Sequence, residues 1–168
     1  MRRWNGWGDE GFNLAMPEQG QDFLASRIGS GRPLADATLD SVCAKVPETR
    51  LTRPADLESL IDTGPEARVR HARGQSLADW LAMRSGEFGV FPDGVAYPTT
   101  SEEVQTLLSW AAEQHIHLIP YGGGTSVAGH INPVDKGQPV LTVDMSRMNR
   151  LIDLDTESQI ATFDAGTP

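Results

Sequence analysis

The sequence of 168 residues predicts an α+β fold, with a helical lead-in followed by a mixed sheet and flanking helices. Three observations support this prediction. Up to about residue 89, short segments with helical spacing of apolar residues are separated by Gly and Pro. After that point, short apolar runs suited to strands surround one long amphipathic helix. The last two runs, residues 150–155 and 159–165, alternate polar and apolar residues across a short turn, which is typical of a hairpin.

Three helices are predicted in the lead-in, at residues 20–29, 36–47 and 76–86. The first two end at Gly or Pro, which stop helices. In the third helix, Ser76 is suited to cap the amino terminus and Gly86 to end the helix. The residues expected to share one face of this helix are Leu77, Trp80, Leu81 and Arg84.

The second half of the chain predicts strands around a single long helix. The predicted strands before the hairpin are residues 94–98, 117–121 and 139–145. The helix is predicted at residues 100–116, where Thr100 and Glu103 have the spacing of a capping box. Its apolar face consists of Val104, Leu107, Leu108 and Ala111. The resulting order is strand, helix, strand, a glycine-rich loop, and then strands expected to be antiparallel.

The composition excludes several classes of function. The formal charge of −9 disfavours a nucleic-acid partner. No run approaches the roughly 18 apolar residues of a transmembrane segment, and the amino terminus lacks the apolar stretch of a signal peptide. Cys43 is the only cysteine, so no intramolecular disulfide can form, and we expect its side chain to fill core space. We therefore expect a soluble, cytoplasmic protein.

Two histidines near the predicted helix end, His115 and His117, have a spacing that a metal could use. No carboxylate or third histidine accompanies them, so no metal site is predicted. His130 is expected to make a hydrogen bond within its loop.

The segment "PYGGGTSV" at residues 120–127 raises the question of why side chains are absent at three consecutive positions. Counted from Gly122, a Walker loop and a dinucleotide-binding GxGxxG pattern both require a glycine where this chain has Val127, so both patterns fail. One remaining interpretation is a turn that only connects two elements. The other is a site where backbone N–H groups bind an anion.

The anion-binding interpretation has a simple physical basis. Gly122, Gly123 and Gly124 can adopt positive φ, and they let an oxygen atom approach the backbone closely because they have no Cβ. Thr125 and Ser126 add hydroxyl donors. Each hydrogen bond to a charged group contributes about 1.5–3 kcal/mol, so several such bonds could hold a pyrophosphate without a lysine.

Several stretches of the chain together resemble a known family. They are "RWNGWGDEGF" at 3–12, "RHARGQSLADW" at 70–80, "FPDGVAYP" at 91–98, "IPYGGGTSV" at 119–127 and "DMSRMNRLIDLD" at 144–155. In this order they resemble the alkylglycerone-phosphate synthase family of flavoproteins, within the superfamily of vanillyl-alcohol oxidase and p-cresol methylhydroxylase. The resemblance implies a helical amino-terminal region at 1–89 and the first subdomain of a PCMH-type FAD-binding domain at 90–168.

The resemblance also implies a cofactor site. The residues implied to line the FAD diphosphate are Pro120, Tyr121, Gly122, Gly123, Gly124, Thr125 and Ser126. The backbone N–H groups of 122–126 would be the donors, and Pro98 would lie on the adenosine side. Some members of the superfamily attach the flavin to a histidine just after the glycines. This chain has Thr125 there, so the implied FAD is non-covalent.

The activity implied for the full-length protein is the exchange of an acyl for an alkyl group on dihydroxyacetone phosphate, in ether-lipid synthesis. A small-molecule or lipid-type substrate follows from this activity, and a homodimer of the full-length protein is left open. The chain resembles an amino-terminal fragment, so we expect it to be inactive alone, with its catalytic residues beyond residue 168. Two alternatives stay open: an FAD-dependent oxidoreductase acting on a 2-hydroxy acid or alcohol, and a non-catalytic module whose glycine loop is structural.

Overall fold

The computed structural model describes residues 2–12, 14–32 and 34–168. Its helices are α1 (Glu18–Ile28), α2 (Leu39–Cys43), α3 (Pro65–Arg70), α4 (Leu77–Ser85) and α5 (Ser101–Glu113), with a short 3-10 helix at Met145–Arg147. Its strands are β1 (Ile61–Asp62), β2 (Gly94–Ala96), β3 (His117–Tyr121), β4 (Val140–Asp144), β5 (Leu151–Asp155) and β6 (Ile160–Phe163). The predicted α+β class is confirmed.

The main sheet has the strand order β1-β2-β4-β3. Strand β4 lies between β2 and β3 and is parallel to both, whereas β1 is antiparallel to β2. The expectation that the strands after the glycine loop are antiparallel is therefore wrong for β4. It is correct for the hairpin of β5 and β6. The long connection from β3 returns the chain to the opposite end of the sheet, and this return makes β4 parallel.

The division of the chain near residue 90 stays a prediction, although the sheet crosses it. Strand β1 precedes the division and pairs with β2, which follows it. Both groups of buried side chains also cross the division, because Leu51, Leu57 and Ile61 pack around the sheet and Phe91 packs with the lead-in. The group around the sheet and α5 is Leu51, Leu57, Ile61, Ala96, Leu107, Leu141 and Val143. The group within the lead-in is Val42, Val69, Ala72, Met83, Phe88 and Phe91.

Helix α4 begins and ends as the sequence predicts, but its buried face differs. The Ser76 hydroxyl accepts from the N–H of Asp79, whose carboxylate accepts from Ser76 in return, and Gly86 ends the helix with φ of 73°. Leu77 and Leu81 are 73% and 64% exposed, so of the predicted apolar face only Trp80 packs against the buried group. Asp79 is buried instead, because its carboxylate is held by hydrogen bonds to Ser76 and to Asn132 in the loop opposite.

Helix α5 begins at a modified version of the predicted capping box. The Thr100 hydroxyl accepts from the N–H of Glu103 at 3.2 Å, as expected. The Glu103 carboxylate accepts from the N–H of Thr99 at 2.6 Å, one residue before the predicted donor. Leu107 and Ala111 are buried against the sheet, while Leu108 is half exposed. No helix in the described residues is long and apolar enough to cross a membrane.

Two elements leave their apolar side chains exposed. Helix α1 has no buried residue, and every residue of β5 and β6 is exposed. The large apolar side chains of this hairpin that are more than half exposed are Leu151, Ile152, Leu154, Ile160 and Phe163. An isolated two-stranded hairpin is marginally stable in water, so this surface is suited to packing against further structure.

A buried carboxylate fixes the start of β2 to the start of β4. Asp93 is 3% exposed. Its Oδ1 accepts from the N–H and Nε of Arg50, and its Oδ2 accepts from Arg50 Nη2 and from the N–H of Val140, all within 3.0 Å. Burial opposes ionisation, but these hydrogen bonds outweigh it, so the pKa of Asp93 is lowered.

We expect Asp93→Asn to lower the free energy of unfolding by about 3 kcal/mol at neutral pH, because an amide leaves buried donors unmatched. A carboxylate with a depressed folded-state pKa stabilises the fold above its unfolded pKa of about 3.9. That contribution disappears as the pH falls through the folded value. The difference between wild type and variant, measured by chemical denaturation of the full-length protein, should therefore shrink below about pH 4.

The matched control is Asp135→Asn. Asp135 is exposed and lies 3.6 Å from the other side of the same Arg50 guanidinium. Removal of an exposed ion pair costs about 0–1 kcal/mol. A loss in the control equal to that of Asp93→Asn would contradict the assignment of the stability to the buried carboxylate.

Candidate functional site

The glycine loop, residues 120–126, lies at the carboxyl end of β3. Tyr121 is the last residue of that strand and pairs with Asp144, the last residue of the parallel neighbour β4. Ligands of open parallel sheets bind at the carboxyl ends of the strands. The position of the loop therefore fits a binding site.

Only one glycine of the loop needs a conformation that other residues avoid. Gly124 has φ of 64°, whereas Gly122 and Gly123 do not have positive φ. Of the three positions that permit positive φ, only Gly124 uses it. A Cβ on Gly124 would overlap the hydroxyl of Tyr121, so this glycine is also required by packing.

Gly122 and Gly123 border open space instead. A Cβ on Gly122 would have no atom within 4 Å, and one on Gly123 would lie 3.5 Å from Thr125 Cγ2. The protein's own packing thus gives no reason for glycine at these two positions. In the described part of the chain, the N–H groups of residues 122–126 donate to no backbone carbonyl outside the helices and strands. Exposed glycines with available N–H groups match the requirements of an anion site.

The carbonyl groups of the loop are turned towards the protein. The Arg2 guanidinium donates to the carbonyl of Gly123. The N–H of Gln75 donates to the carbonyl of Ser126 at 2.6 Å. Gly74 allows this approach, because a Cβ at that position would overlap the Ser126 carbonyl oxygen. Two oxygens that would otherwise repel an anion are therefore occupied by donors.

A buried histidine packs against Tyr121, the residue that precedes the three glycines. His71 lies against the Tyr121 ring, with 4.5 Å between ring centroids. Its Nδ1 is 2.7 Å from the Ala67 carbonyl, which can only accept, so Nδ1 carries a proton. Its Nε2 is 2.8 Å from Asp144 Oδ2. Burial raises the pKa of Tyr121. Burial acts in the same direction on Asp144, but hydrogen bonds from His71 and Ser146 outweigh it and lower the pKa of Asp144.

Positive charge is concentrated beside this support. A cavity of about 160 Å³ is lined by four arginines, Arg2, Arg3, Arg70 and Arg73, which are four of the chain's 14 basic residues. His71, Tyr121 and Asp144 line the same cavity. This positive charge is partly offset by Asp144 and by the acidic partners of Arg70 and Arg73, in a chain that carries a formal charge of −9.

The predicted site residues divide between two further cavities. Pro120, Tyr121 and Gly122 border an apolar cavity of about 500 Å³ next to α5, together with Leu107 and Leu118. By contrast, the residues that border a cavity of about 340 Å³ facing the amino-terminal segment are Arg2, Gly6, Trp7, Gly8, Asp9, Gln75, Gly123 and Thr125.

The other predicted residues, Ser126, His130, Gly124 and Pro98, are not among those that line these three cavities. The Ser126 hydroxyl is 3.2 Å from His130 Nδ1, so His130 makes the loop hydrogen bond expected of it. Gly124 is buried. Pro98, implied on the adenosine side, is also fully buried and presents no side-chain surface to a ligand. The assignment of all these residues to a cofactor stays a prediction.

The residues that support the glycine loop were not predicted from their own chemistry. Arg70, His71, Arg73 and Gln75 lie in a stretch that the sequence analysis used only for its family resemblance. A cluster of cationic residues next to a glycine in an acidic chain is a usable signal for an anion site. Among the described residues, no group of three or more potential ligands is arranged around a metal ion.

Comparison with known proteins gives a consistent result. Residues 92–168 match the family described as "FAD binding domain". The chain is 27% identical to alkyldihydroxyacetonephosphate synthase of Trypanosoma brucei brucei over 98% of its length and 32% of that protein. It is 35% identical to the mitochondrial D-lactate dehydrogenase (cytochrome) of Arabidopsis thaliana over 81% of its length and 22% of that protein.

The fold is also found among solved structures. A structure of alkyldihydroxyacetonephosphate synthase superposes with a TM-score of 0.78 at 23% identity, over 99% of this chain and 36% of that one. The chain therefore spans about a third of the length of the synthases that it matches.

The variants Gly123→Ala and Gly124→Ala test whether packing requires glycine at position 124 and not at position 123. We expect Gly124→Ala to lower the free energy of unfolding by at least about 2 kcal/mol, because positive φ alone costs about 1–2 kcal/mol and the new Cβ overlaps Tyr121. Gly123→Ala should change it by less than about 0.5 kcal/mol. Denaturation of the flavin-free full-length protein measures both. Equal losses would contradict the described loop conformation.

Proposed function

We propose that the full-length protein binds FAD non-covalently through residues 120–126, which lie within the segment that matches the FAD-binding domain family. The observation that carries the proposal is the exposed backbone of Gly122 and Gly123. Their N–H groups lack described backbone partners, and nothing in the surrounding packing requires glycine there. A diphosphate bound at this backbone accounts for both features.

Each predicted site residue has a proposed role that its surroundings allow. The N–H groups of Gly122–Ser126 are the proposed diphosphate donors, with the exposed Thr125 hydroxyl as an additional donor. Tyr121 is 5% exposed, so its side chain acts on the loop rather than on the cofactor. Thr125 has no imidazole, which leaves the flavin non-covalent. Pro120 contributes to the apolar wall beside the loop.

For the full-length protein we propose the synthase reaction, in which an alkyl group replaces the acyl group of a lipid-type dihydroxyacetone-phosphate ester. The proposal is supported by the proportion of the chain that is similar to a synthase. The trypanosome synthase matches 98% of the chain, which includes the amino-terminal residues as well as the FAD-binding domain. Bound FAD supplies the electrophilic ring system for this chemistry. The role of residues 1–168 is to bind and orient it, and catalysis is proposed to need the remainder of the protein.

A second candidate is an FAD-dependent oxidoreductase acting on a 2-hydroxy acid. The plant D-lactate dehydrogenase supports it, because its 35% identity extends over 81% of this chain. Both candidates use the same diphosphate site, so the distinction depends on the reaction and not on cofactor binding.

The cofactor proposal predicts that Gly123→Val abolishes flavin retention in the full-length protein. A valine side chain would occupy the open space against the backbone that the diphosphate needs. Acid precipitation of the purified wild-type protein, followed by quantification of FAD, should leave one equivalent per chain in the supernatant. A flavin that stays in the pellet would contradict the non-covalent proposal. A valine variant with full flavin occupancy would contradict the site.

The two activities are distinguished by substrates and by the flavin spectrum. With acyl-dihydroxyacetone phosphate and a labelled long-chain alcohol, we expect the full-length holoprotein to form a labelled ether while the flavin remains oxidised. D-lactate added without oxygen should not bleach the flavin. Bleaching without ether formation would replace the first candidate by the second. If the protein retains FAD but catalyses neither reaction, the result would favour a non-catalytic module.

A further inference from the structure

The proposed diphosphate site lacks a cation of its own. Residues 120–126 contain no lysine or arginine, whereas the diphosphate of FAD carries two negative charges. Backbone N–H groups supply only partial charges. A chain with a formal charge of −9 does not attract an anion at long range, so the charge that compensates the diphosphate has to be local.

The described structure places an arginine from the opposite end of the sequence on the loop. Residues 2–9 form a small hairpin, which we call the amino-terminal hairpin. Arg2 and Asp9 form a β-bridge, and the N–H of Arg3 donates to the carbonyl of Gly8 at 2.8 Å. The Arg2 guanidinium donates a hydrogen bond to the carbonyl of Gly123, which lies 121 positions later in the sequence.

The amino-terminal hairpin is fixed to the rest of the protein at two points. Trp4 stacks on Phe88 with 6.3 Å between ring centroids, and it packs against the buried group of the lead-in. Arg70 Nη1 donates to the Arg2 carbonyl at 2.9 Å, and Arg70 Nη2 lies 3.2 Å from Glu10 Oε1. The position of Arg2 over the glycine loop is therefore supported from both sides of the hairpin.

The hydrogen bond from Arg2 also orients the loop. In a trans peptide the carbonyl and the following N–H point in opposite directions. With the Gly123 carbonyl held by Arg2, the N–H of Gly124 is fixed on the other face of the peptide, so the cavity beside Arg2 is lined on the loop side by Gly123 and Thr125. The guanidinium has five N–H donors, so one bond to a carbonyl leaves further donors and the whole positive charge beside the loop.

The space between the amino-terminal hairpin and the glycine loop is large enough for part of a ligand. This cavity of about 340 Å³ has Arg2, Gly6 and Trp7 on one side and Gly123 and Thr125 on the other. Pockets for small molecules typically start at about 300 Å³. The indole of Trp7 is 62% exposed and offers an aromatic surface in the same cavity.

One acidic residue, Asp9, also lines this cavity and opposes an anion. Basic residues line the neighbouring 160 Å³ cavity. Those next to Arg2 are Arg3, Arg70 and Arg73, of which Arg70 is paired with Glu10 and Glu66 and Arg73 lies 3.8 Å from Asp79. Arg70 and Arg73 are thus balanced by these carboxylates, and the charge proposed to act on the diphosphate is that of Arg2.

We propose that the amino-terminal hairpin forms the second wall of the FAD site, and that Arg2 orients the glycine loop and supplies the positive charge opposite the diphosphate. This inference rests on the proposed FAD site at residues 120–126. It adds a residue from outside the FAD-binding domain, which begins at residue 92 in the family match. Arg2 is a positioning residue and takes no part in chemistry.

The test uses the full-length protein stripped of flavin and titrated with FAD at low and high salt. Arg2→Gln should weaken FAD binding about tenfold at low salt, equivalent to about 1.4 kcal/mol, and reduce its salt dependence, since one cation fewer faces the diphosphate. Arg2→Lys should restore part of the affinity. The matched control is Arg27→Gln, which removes an exposed charge from α1, where the guanidinium contacts the Phe23 ring. It should bind FAD as the wild type does.

Each contrary result has a separate meaning. If Gly123→Val loses FAD while Arg2→Gln binds as tightly as wild type at both salt concentrations, the role of Arg2 is overturned and the loop site stands. If neither variant affects binding, the loop site itself fails. If Arg2→Gln lowers the melting temperature of the flavin-free protein and Arg2→Lys restores nothing, the residue has a structural role only, which also overturns the inference.

Discussion

The glycine loop rests directly on the backbone of residues 74 and 75, and this contact determines the geometry of the site. The N–H of Gln75 donates to the Ser126 carbonyl at 2.6 Å, an approach that is open only because Gly74 has no Cβ. Carbonyl oxygens repel anions, so a loop that binds a diphosphate must direct them elsewhere. Here the carbonyls of Gly123 and Ser126 are both occupied by donors, which leaves N–H groups for a ligand.

The segment below the loop is itself held by buried carboxylates. Asp79 accepts from the Ser76 hydroxyl at 2.6 Å and from the Asn132 amide at 2.6 Å, and the Asn132 carbonyl oxygen accepts from the N–H of Gly74. The cap of α4 is therefore part of the same network as the loop that follows the glycines. Asp144 acts similarly on His71 at the end of β4. Such networks stabilise a single arrangement only when every member is satisfied, which explains why α4 buries Asp79 and exposes Leu77.

The sequence predicts the elements that depend on local signals. Helices α4 and α5 have caps, and strand β3 is an apolar run bounded by the glycines, so their positions follow from local chemistry. Strand β1 has two residues and no periodicity, and it forms only because β2 offers an unpaired edge. Whether β4 is parallel depends on the path of the chain after the loop. Neither feature has a local signal.

Within the site, features with a local signal could likewise be predicted, and features that depend on tertiary structure could not. Glycines without side chains indicate the close approach of another group, and at Gly124 the group that approaches is the Tyr121 side chain and not a ligand. The sequence cannot tell that Gly122 and Gly123 differ from it, because their surroundings depend on tertiary structure. The contribution of Arg2 is non-local as well, since 121 positions separate it from the carbonyl to which it donates.

The exposed acidic residues and the Arg2 cation act on an anion with opposite signs, and distance decides between them. At physiological ionic strength, exposed charges further apart than about 8 Å are largely screened. Most of the acidic residues that produce the formal charge of −9 are exposed, so their effect on a diphosphate is weakened by salt. In the proposed site the loop N–H groups would act at contact distances, where screening is small, whereas Arg2 is exposed and its contribution would depend on salt. The proportion of FAD affinity that depends on salt thus reports how much of the binding energy comes from exposed cations and how much from the backbone.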